Sequence, residues 1–233
     1  AKGIYRPTTG TDRNISFVIP NGVRVYGGFV GSEASLNQRP PQAIGGNGTT
    51  LLSGDINTLA DATDNTYQVV AFAGINSPTL LDGFSIIHGN ANGSTHELRN
   101  GGGVQIADNG ANVSITHCTI ALNNAKFTAG VSTSSTSSLL MDKCIVQFNK
   151  SESGTGGVSL AGSNSVVTNS VFLSNEGTEG VGALTFENSN NNSRVTNCLF
   201  VNNIGVETGA VYTEEGTGHR LVNCTFHNNN TTG

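Results

Sequence analysis

The feature that most constrains the fold of this chain is a phrase that recurs about every 26 residues in its second half. It reads Asn-Cys-x-Phe-x-x-Asn at residues 197–203 and again at residues 223–229. Aligning five units on this phrase gives a Cys or Ser column, an aliphatic or Phe column and an Asn column. In chain order these columns are Cys118, Cys144, Ser170, Cys198 and Cys224; Ile120, Val146, Phe172, Phe200 and Phe226; and Asn123, Asn149, Asn175, Asn203 and Asn229. Successive members of the Cys and Asn columns are 26, 26, 28 and 26 residues apart, so the chain is a repeat protein.

Each unit also carries a glycine phrase, such as GGVQI at Gly102 or GGVSL at Gly156. Aligned glycines at spacings of 27, 27, 25 and 27 are Gly103, Gly130, Gly157, Gly182 and Gly209. Residues on one face of a strand are an even number of positions apart, but the inward residues Ile115 and Cys118 are three positions apart. The two therefore cannot belong to one straight strand, which predicts a bend near Thr116 and His117. Each unit is thus three short strands, V-x-I, C-x-F and G-V-x-φ. Three strands in coils of about 26 residues predict an all-β parallel solenoid.

The columns have a physical explanation in such a fold. We expect the Asn column to occupy tight turns in the left-handed conformation and to form a hydrogen-bonded ladder between coils. The Phe and aliphatic columns supply the core, and the glycines permit positive φ or close backbone approach. We predict four stacked, buried thiols at Cys118, Cys144, Cys198 and Cys224, since neighbouring coils lie farther apart than a disulfide prefers. Two strained bridges, Cys118–Cys144 and Cys198–Cys224, remain the alternative.

The alternation of Gly-Gly-Val/Ala-φ with Phe-x-x-Asn over residues 80–233 resembles the paired repeat of the polymorphic outer-membrane proteins, which are bacterial surface adhesins. An earlier degenerate copy, LLDGFSIIHGN, places Phe84 in the Cys column and Ile86 in the Phe column. The resemblance implies a right-handed parallel β-helix, secreted to the extracellular space or cell surface of a bacterium. It also implies glycans or other cell-surface molecules as partners.

Residues 1–79 are less regular, but ISFVIP, VRVYGGFVGSE, TLLSGDI and YQVVAF are strand-like runs between turn residues. They resemble the opening coils of secreted bacterial β-helix proteins. We therefore predict one continuous β-helix domain over residues 1–233, with irregular opening coils at 1–79 and regular repeats at 80–233. We further expect the chain to be a piece of a longer polypeptide whose additional coils stack on it.

Charge and hydropathy exclude some partners. The net charge of −5 provides no basic surface for nucleic acid, and no run of 18 apolar residues predicts membrane insertion. The first residues, AKGIYRPTTG, lack the pattern of a signal peptide, so the export signal is not in this sequence.

An enzyme is the main alternative, because right-handed β-helices include polysaccharide lyases and glycoside hydrolases. Asp82 and Asp142 share a column two coils apart, with Thr116 between them, and such a carboxylate pair is the requirement of a glycosidase. His88 is the third candidate catalytic residue, although a turn residue is the simpler interpretation. No cluster of basic residues beside carboxylates supports a lyase.

Two sets of residues are candidates for binding. An insertion between Asn90 and Gly103 contains His96, Glu97 and Arg99, and a charged loop on a regular stack is a place for ligand binding. Four acidic residues precede the glycine phrases and could hold Ca²⁺, though a solvated edge that blocks aggregation is the favoured interpretation: Glu152, Glu176, Glu179 and Glu207. We expect no other cofactor.

These observations predict a non-enzymatic, extracellular β-helical stalk or adhesin segment that presents a glycan-binding surface. The alternatives are a β-helical carbohydrate-active enzyme and a purely structural spacer that binds nothing.

Overall fold

The computed structural model describes residues 1–107, 112–187 and 192–232. Its 28 short strands form four parallel sheets, and its helices are two 3-10 turns, η1 (Leu36–Gln38) and η2 (Glu97–Arg99). Within these ranges no helix has the length and apolar character needed to cross a membrane. From residue 70 onward the chain visits four sheets, numbered 1 to 4 below, in turn and then begins the next coil, so the predicted parallel β-helix is confirmed.

Sheets 1 and 2 are formed by the G-V-x-φ and V-x-I phrases respectively. Sheet 1 contains β2 (Phe17–Ile19), β5 (Val70–Phe72), β9 (Val104–Ile106), β13 (Val131–Thr133), β17 (Val158–Leu160), β21 (Leu184–Phe186) and β25 (Val211–Thr213). Sheet 2 contains β3 (Arg24–Tyr26), β6 (Thr79–Asp82), β10 (Val113–Thr116), β14 (Leu139–Asp142), β18 (Val166–Thr168), β22 (Arg194–Thr196) and β26 (Arg220–Val222).

Sheets 3 and 4 complete each coil. Sheet 3, from the C-x-F phrase, contains β1 (Gly3–Tyr5), β4 (Thr50–Ser53), β7 (Ser85–Ile87), β11 (Thr119–Ala121), β15 (Ile145–Gln147), β19 (Val171–Leu173), β23 (Leu199–Val201) and β27 (Thr225–His227). Sheet 4 contains the two-residue strands β8 (Asn90–Ala91), β12 (Asn124–Ala125), β16 (Lys150–Ser151), β20 (Glu176–Gly177), β24 (Ile204–Gly205) and β28 (Asn230–Thr231). Sheet 4 adds a fourth side to the three strands expected per coil.

The opening strands belong to the same sheets as the regular repeats. Strand β3 pairs with β6, and β2 pairs with β5, each in parallel register. Strand β1 pairs with β4, which in turn pairs with β7. The irregular residues before residue 79 therefore extend sheets 1, 2 and 3, while sheet 4 begins only at β8, and the assignment of residues 1–233 to one domain stays a prediction.

The core is a set of stacked columns inside the coil. Phe172, Phe200 and Phe226 stack with ring centroids 4.7 Å and 4.9 Å apart and interplanar angles of 11° and 8°. Phe172 and Phe200 are fully buried. Burying a side chain of this size contributes about 1.5–3 kcal/mol, and the ring pairs add to that through their contact. The stack continues through Val146, Ile120 and Ile86 in register.

Two corners of each coil use the left-handed conformation. Between sheets 2 and 3, positive φ occurs at Gly83, His117, Lys143, Asn169, Asn197 and Asn223. Between sheets 3 and 4, it occurs at His88, Leu122, Phe148, Ser174, Asn202 and Asn228. The bend predicted at Thr116 and His117 is thus the first corner. At the second corner, the residue with positive φ precedes the ladder asparagine, whereas we expected the asparagine itself to adopt it.

The Asn ladder lies inside the second corner. In each step, Oδ1 of one Asn accepts hydrogen bonds from the backbone N–H and Nδ2 of the Asn one coil earlier. The Nδ2 group also donates to the carbonyl oxygen of the strand residue two positions before the corner residue one coil back, as Asn149 does to Ile120 at 2.9 Å. Gly89 begins the column by donating its N–H to Asn123 Oδ1 at 2.9 Å.

The glycines permit close approach of the backbone between coils. A Cβ atom at Gly157 would lie 2.1 Å from the carbonyl oxygen of Ala183, and one at Gly130 would lie 2.3 Å from that of Gly157. The strand register places Gly157 opposite Ala183, because Val158 pairs with Leu184. The glycine column from the sequence, which matched Gly157 with Gly182, is therefore wrong by one residue at that coil. Small side chains, rather than one glycine per coil, satisfy the steric requirement.

Candidate functional site

The outer face of sheet 1 forms the floor of a groove, which we call the sheet 1 groove. Its floor is the outward-facing residue of each G-V-x-φ strand, in register from coil to coil: Gln105, Ser132, Ser159, Thr185 and Tyr212. Ser132, Ser159 and Thr185 are buried although they point away from the core. Their burial arises because loops rise above the sheet on both sides.

The groove consists of two adjoining depressions of ≈ 300 Å³ and ≈ 330 Å³. Both are lined by His96, Asn100 and Glu187, so they form one continuous trough along the coil axis. The size of each depression is that of a small-ligand site. A ligand that lies along the groove would cross several coils.

One wall is the insertion between Asn90 and Gly103. Within it, the N–H of Gly93 donates to Leu98 O at 2.9 Å, and Arg99 Nε donates to Gly93 O at 3.0 Å. Asn100 Nδ2 donates to His96 O at 3.0 Å. These bonds fold the loop onto itself and leave the exposed His96 side chain over the groove.

Aromatic rings stand at the same wall. The rings of His96 and Phe127 have centroids 5.8 Å apart and are tilted by 38°. Phe127 is half-buried and is positioned by its N–H, which donates to Arg99 O at 2.9 Å. Phe127 and Tyr212 both line the ≈ 300 Å³ depression. Flat apolar faces are thus combined with hydroxyl groups on the floor.

The opposite wall carries carboxylates that follow the sheet 1 strands. Glu187 accepts a short hydrogen bond from the Ser159 hydroxyl, which holds one carboxylate oxygen at the floor. Glu214 lies one coil farther, because its N–H donates to Phe186 O at 3.0 Å in continuation of the β21–β25 register. Both glutamates line the ≈ 300 Å³ depression.

The three residues predicted in the binding loop have different positions. His96 lines both depressions and Glu97 lines the ≈ 330 Å³ one. Hydrogen bonds hold the pKa of Glu97 below its ordinary value, first from its own backbone N–H and then from Thr95. Arg99 is half-buried and closes the loop through Gly93.

Asp82 lies at the corner between sheets 2 and 3, away from the groove. Its carboxylate is buried and makes an ion pair with Arg39, accepts a short hydrogen bond from the Thr116 hydroxyl, and lies 2.9 Å from His117 Nδ1. Burial raises the pKa of Asp82, but the hydrogen bonds from Thr116 and His117 and the Arg39 interaction outweigh it and lower the pKa overall. These partners occupy both carboxylate oxygens.

Asp142 and His88 are also corner residues. Asp142 pairs in register with Thr116, as does Asp82, and its Oδ1 accepts a hydrogen bond of 2.7 Å from Asn169 Nδ2. His88 has φ of 64° and occupies the same corner column as Leu122. The structure therefore gives these three candidate catalytic residues turn and corner positions, and no contact in the described residues brings His88 to the two aspartates.

The four acidic residues proposed for Ca²⁺ are near sheet 4 but do not form one column. Glu176 pairs with Lys150 in register and makes an ion pair with it at 2.8 Å. Glu152 and Glu179 are exposed, and Glu207 is exposed at the rim of the sheet 1 groove. Among the residues that the structure describes, no group of three or more His, Cys, Asp or Glu side chains is arranged to hold a metal ion. Ca²⁺ binding at these positions stays a prediction.

The four cysteines are free thiols at the start of the sheet 3 strands. Burial raises the pKa of Cys118 to about 12 and that of Cys198 to about 11, and it also raises the pKa of Cys144. Their sulfur atoms contact backbone carbonyl oxygens, as Cys144 Sγ does with Asp142 O at 3.4 Å. Cys118, Cys144 and Cys198 are structural groups, since a protonated buried thiol is a poor nucleophile, whereas Cys224 is only partly buried.

Sequence reasoning missed most of the groove. It identified His96 and Glu97 from the insertion and Glu207 from the acidic set, but not Phe127, Glu187 or Tyr212. A signal was present in the glycine phrase, where the position between two inward residues is Gln, Ser, Ser, Thr and Tyr in five successive coils. The sequence analysis did not consider that column, and only the walls on both sides make it a site.

The fold and the groove define the class of this protein as a parallel β-helix with a polar surface groove. The family model described as "Right handed beta helix region" matches residues 64–231, and the chain belongs to this family. Comparison with curated proteins and with solved structures gave no match.

Proposed function

We propose that this protein is a non-enzymatic, extracellular β-helical adhesin or stalk segment that binds glycans in the sheet 1 groove. The observation that carries the proposal is the combination of a hydroxyl-rich floor, at Ser132, Ser159 and Thr185, with aromatic rings at its edge. Hydroxyl groups both donate and accept hydrogen bonds, as sugar hydroxyls do. Aromatic faces supply apolar contact for the C–H faces of a sugar ring.

The repeat supports a long ligand. The floor positions recur once per coil, so neighbouring positions are separated by about 4.8 Å, the spacing of paired strands. Because the coils stack rigidly, the groove is formed before the ligand arrives, which reduces the ordering cost of binding. A surface location and a bacterial source rest on the resemblance of the repeat to surface adhesins.

The proposal is tested by measuring the binding of the full chain to a panel of neutral, amine-bearing and uronate oligosaccharides. The key variant is Phe127→Ala, which removes an aromatic face from the groove wall. Its matched control is Phe148→Ala, because Phe148 is 49% exposed at a corner away from the groove. We expect Phe127→Ala to weaken binding about tenfold and Phe148→Ala to leave it unchanged.

Binding to no oligosaccharide in the panel would contradict the proposal and favour the spacer. Equal effects of Phe127→Ala and Phe148→Ala would show that a bound glycan occupies another surface. Circular dichroism and thermal unfolding of both variants check that each variant retains the fold.

A second candidate function, glycoside hydrolysis, is favoured by one observation. Glu187 and Glu214 lie side by side on neighbouring coils in the same depression. At about the strand spacing of 4.8 Å, their separation is near the roughly 5–5.5 Å typical of retaining glycosidases. Among the described residues that line the groove there is no Lys or Arg, which argues against a lyase acting on uronates.

The same panel distinguishes the two functions when released oligosaccharides are measured by mass spectrometry. Cleavage that is lost in Glu187→Gln and in Glu214→Gln, but retained in Glu152→Gln, would establish the enzyme and overturn the non-enzymatic proposal. Binding without cleavage is the result that we expect.

A further inference from the structure

The charges around the sheet 1 groove are of one sign. The carboxylates of Glu97, Glu187, Glu207 and Glu214 line its two depressions. His96 is the one basic side chain among the described residues that line it. Arg99 donates to Gly93 O and Lys150 pairs with Glu176. Lys126 precedes Phe127 in sequence but does not line either depression.

Glu187 is placed to contact a ligand in either depression. It lines both, it is half-buried, and the Ser159 hydroxyl holds one of its oxygens. A carboxylate that is half-buried and fixed in this way interacts with a ligand charge more strongly than a mobile surface carboxylate does. An anionic ligand such as a uronate would be repelled at this point.

The aromatic rings favour the same sign of ligand charge. Phe127 and Tyr212 line the depression that also contains Glu187, Glu207 and Glu214. The face of an aromatic ring carries negative potential and attracts an ammonium group. Ring faces and carboxylates are independent features, and both select a cation.

We propose that the sheet 1 groove binds an amine-bearing oligosaccharide, a polymer of amino sugars with free ammonium groups, in preference to neutral or acidic glycans. This inference rests on the proposed glycan-binding function. The ammonium groups form charge-assisted hydrogen bonds with Glu187 and the glutamates of the rim, and the sugar hydroxyls meet Ser132, Ser159 and Thr185 on the floor.

A basic peptide would match the negative charges of the groove, but its backbone would find no strand edge to pair with on the floor. An extended peptide binds a sheet by pairing its backbone with an exposed strand edge. The floor of this groove is the face of sheet 1, whose strands β9, β13, β17 and β21 are paired on both sides. The floor of the groove therefore offers side-chain hydroxyls and no open strand edge, which suits a polyhydroxylated ligand.

The test measures the affinity of the full chain for four probes at low ionic strength by isothermal titration calorimetry. The probes are a glucosamine hexamer, the same hexamer fully N-acetylated, a galacturonate hexamer and hexalysine. N-acetylation removes the charge and keeps the sugar backbone. We expect the glucosamine hexamer to bind about tenfold or more tightly than its acetylated form, and we expect this preference to weaken as salt is added.

Three variants assign the preference to the groove. Glu187→Gln keeps the shape and the Ser159 contact but removes the charge, and Glu207→Lys reverses a charge at the exposed rim. We expect both to reduce the preference for the amine-bearing hexamer, and Glu207→Lys to improve binding of the galacturonate hexamer. The control, Asp12→Asn, removes an exposed carboxylate that does not line the groove, and it should leave the preference unchanged.

Equal or tighter binding of the acetylated hexamer would overturn this inference while leaving glycan binding intact. An unchanged preference in both Glu187→Gln and Glu207→Lys would overturn it as well, because the selecting charges would then lie elsewhere. Hexalysine binding as tightly as the glucosamine hexamer would show a peptide site in place of the sugar site. If the chain bound no saccharide at all, both the proposed glycan-binding function and this inference would be overturned.

Discussion

Asn149 Nδ2 donates a hydrogen bond of 3.0 Å to Asn175 Oδ1, although 26 residues separate the two side chains in sequence. Both are fully buried. The same Asn149 accepts through Oδ1 from the backbone N–H and Nδ2 of Asn123, at 3.1 Å and 2.9 Å. One amide side chain therefore joins three successive coils at a position that no water reaches.

We predict that Asn149→Ala destabilises the protein by about 3 kcal/mol, because it leaves several buried polar groups of the neighbouring coils without partners. The measurement is urea unfolding followed by circular dichroism. Asn124→Ala is the control, since Asn124 is an exposed residue of the preceding coil, and it should change the free energy of unfolding by less than about 0.5 kcal/mol. Similar losses in both variants would mean that the ladder contributes nothing specific.

The thiols should react in two classes. Cys118, Cys144 and Cys198 are buried with raised pKa values, whereas Cys224 is only partly buried. We predict that a thiol reagent at pH 8 labels Cys224 first and labels the other three only after unfolding. Mass spectrometry of the labelled peptides identifies each site. Failure of the unfolded, unreduced protein to label all four would indicate a disulfide and restore the alternative pairing considered from the sequence.

Asp82 should make stability depend on pH. Its pKa in the folded protein is lowered, so its contribution is present above the unfolded value of about 3.9 and is lost as pH falls through the folded value. We expect wild-type stability to fall between about pH 5 and pH 2 more steeply than that of Asp82→Asn. At pH 7, Asp82→Asn should cost about 3 kcal/mol because Arg39, whose side chain is only 12% exposed, loses its carboxylate.

Thermal unfolding across this pH range tests the assignment. Glu152→Gln, at an exposed carboxylate, serves as the control and should reproduce the wild-type curve. If Asp82→Asn followed the wild-type slope, the acid sensitivity would have to arise from other carboxylates.

Leu122 is an unfavourable residue for its corner. It has φ of 57° and is 50% exposed, while the equivalent residues of the last coils are Asn202 and Asn228. Because Asn tolerates the left-handed conformation better, we predict that Leu122→Asn stabilises the protein by about 0.5–1 kcal/mol. Leu140→Asn, at a similarly exposed strand position, should not stabilise it. Equal changes in the midpoint of thermal unfolding would argue against the backbone explanation.

The solenoid could be predicted from the sequence because its side chains recur in register. The pairing of Thr116 with both Asp82 and Asp142, and of Ile120 with Ile86, follows directly from the aligned columns. Sheet 4 was missed because strands such as Asn124–Ala125 are too short for alternation to be visible. The glycine column failed at Ala183 because backbone approach requires a small residue at the strand register, and either Gly or Ala meets that need.

The site was harder to predict than the fold. Ser159 and Glu187 are 28 residues apart and meet only because a strand and the loop of the next coil lie side by side. Phe127 and His96 come from different coils and meet over a loop whose path depends on its own backbone hydrogen bonds. Periodicity identifies the residues that repeat, but the walls of a groove are formed by those that do not.

Because the strands of sheet 1 pair in parallel register, the length of the sheet 1 groove can change only by whole coils. Each coil advances the floor of the groove by about 4.8 Å and contributes one outward residue, as Ser132, Ser159 and Thr185 do. Duplication or deletion of one coil of about 26 residues would therefore shift the reach of the groove by one position while every remaining column stays in phase. Tandem duplication within its gene can therefore change the number of ligand-contacting positions without changing the spacing or the neighbours of the remaining ones.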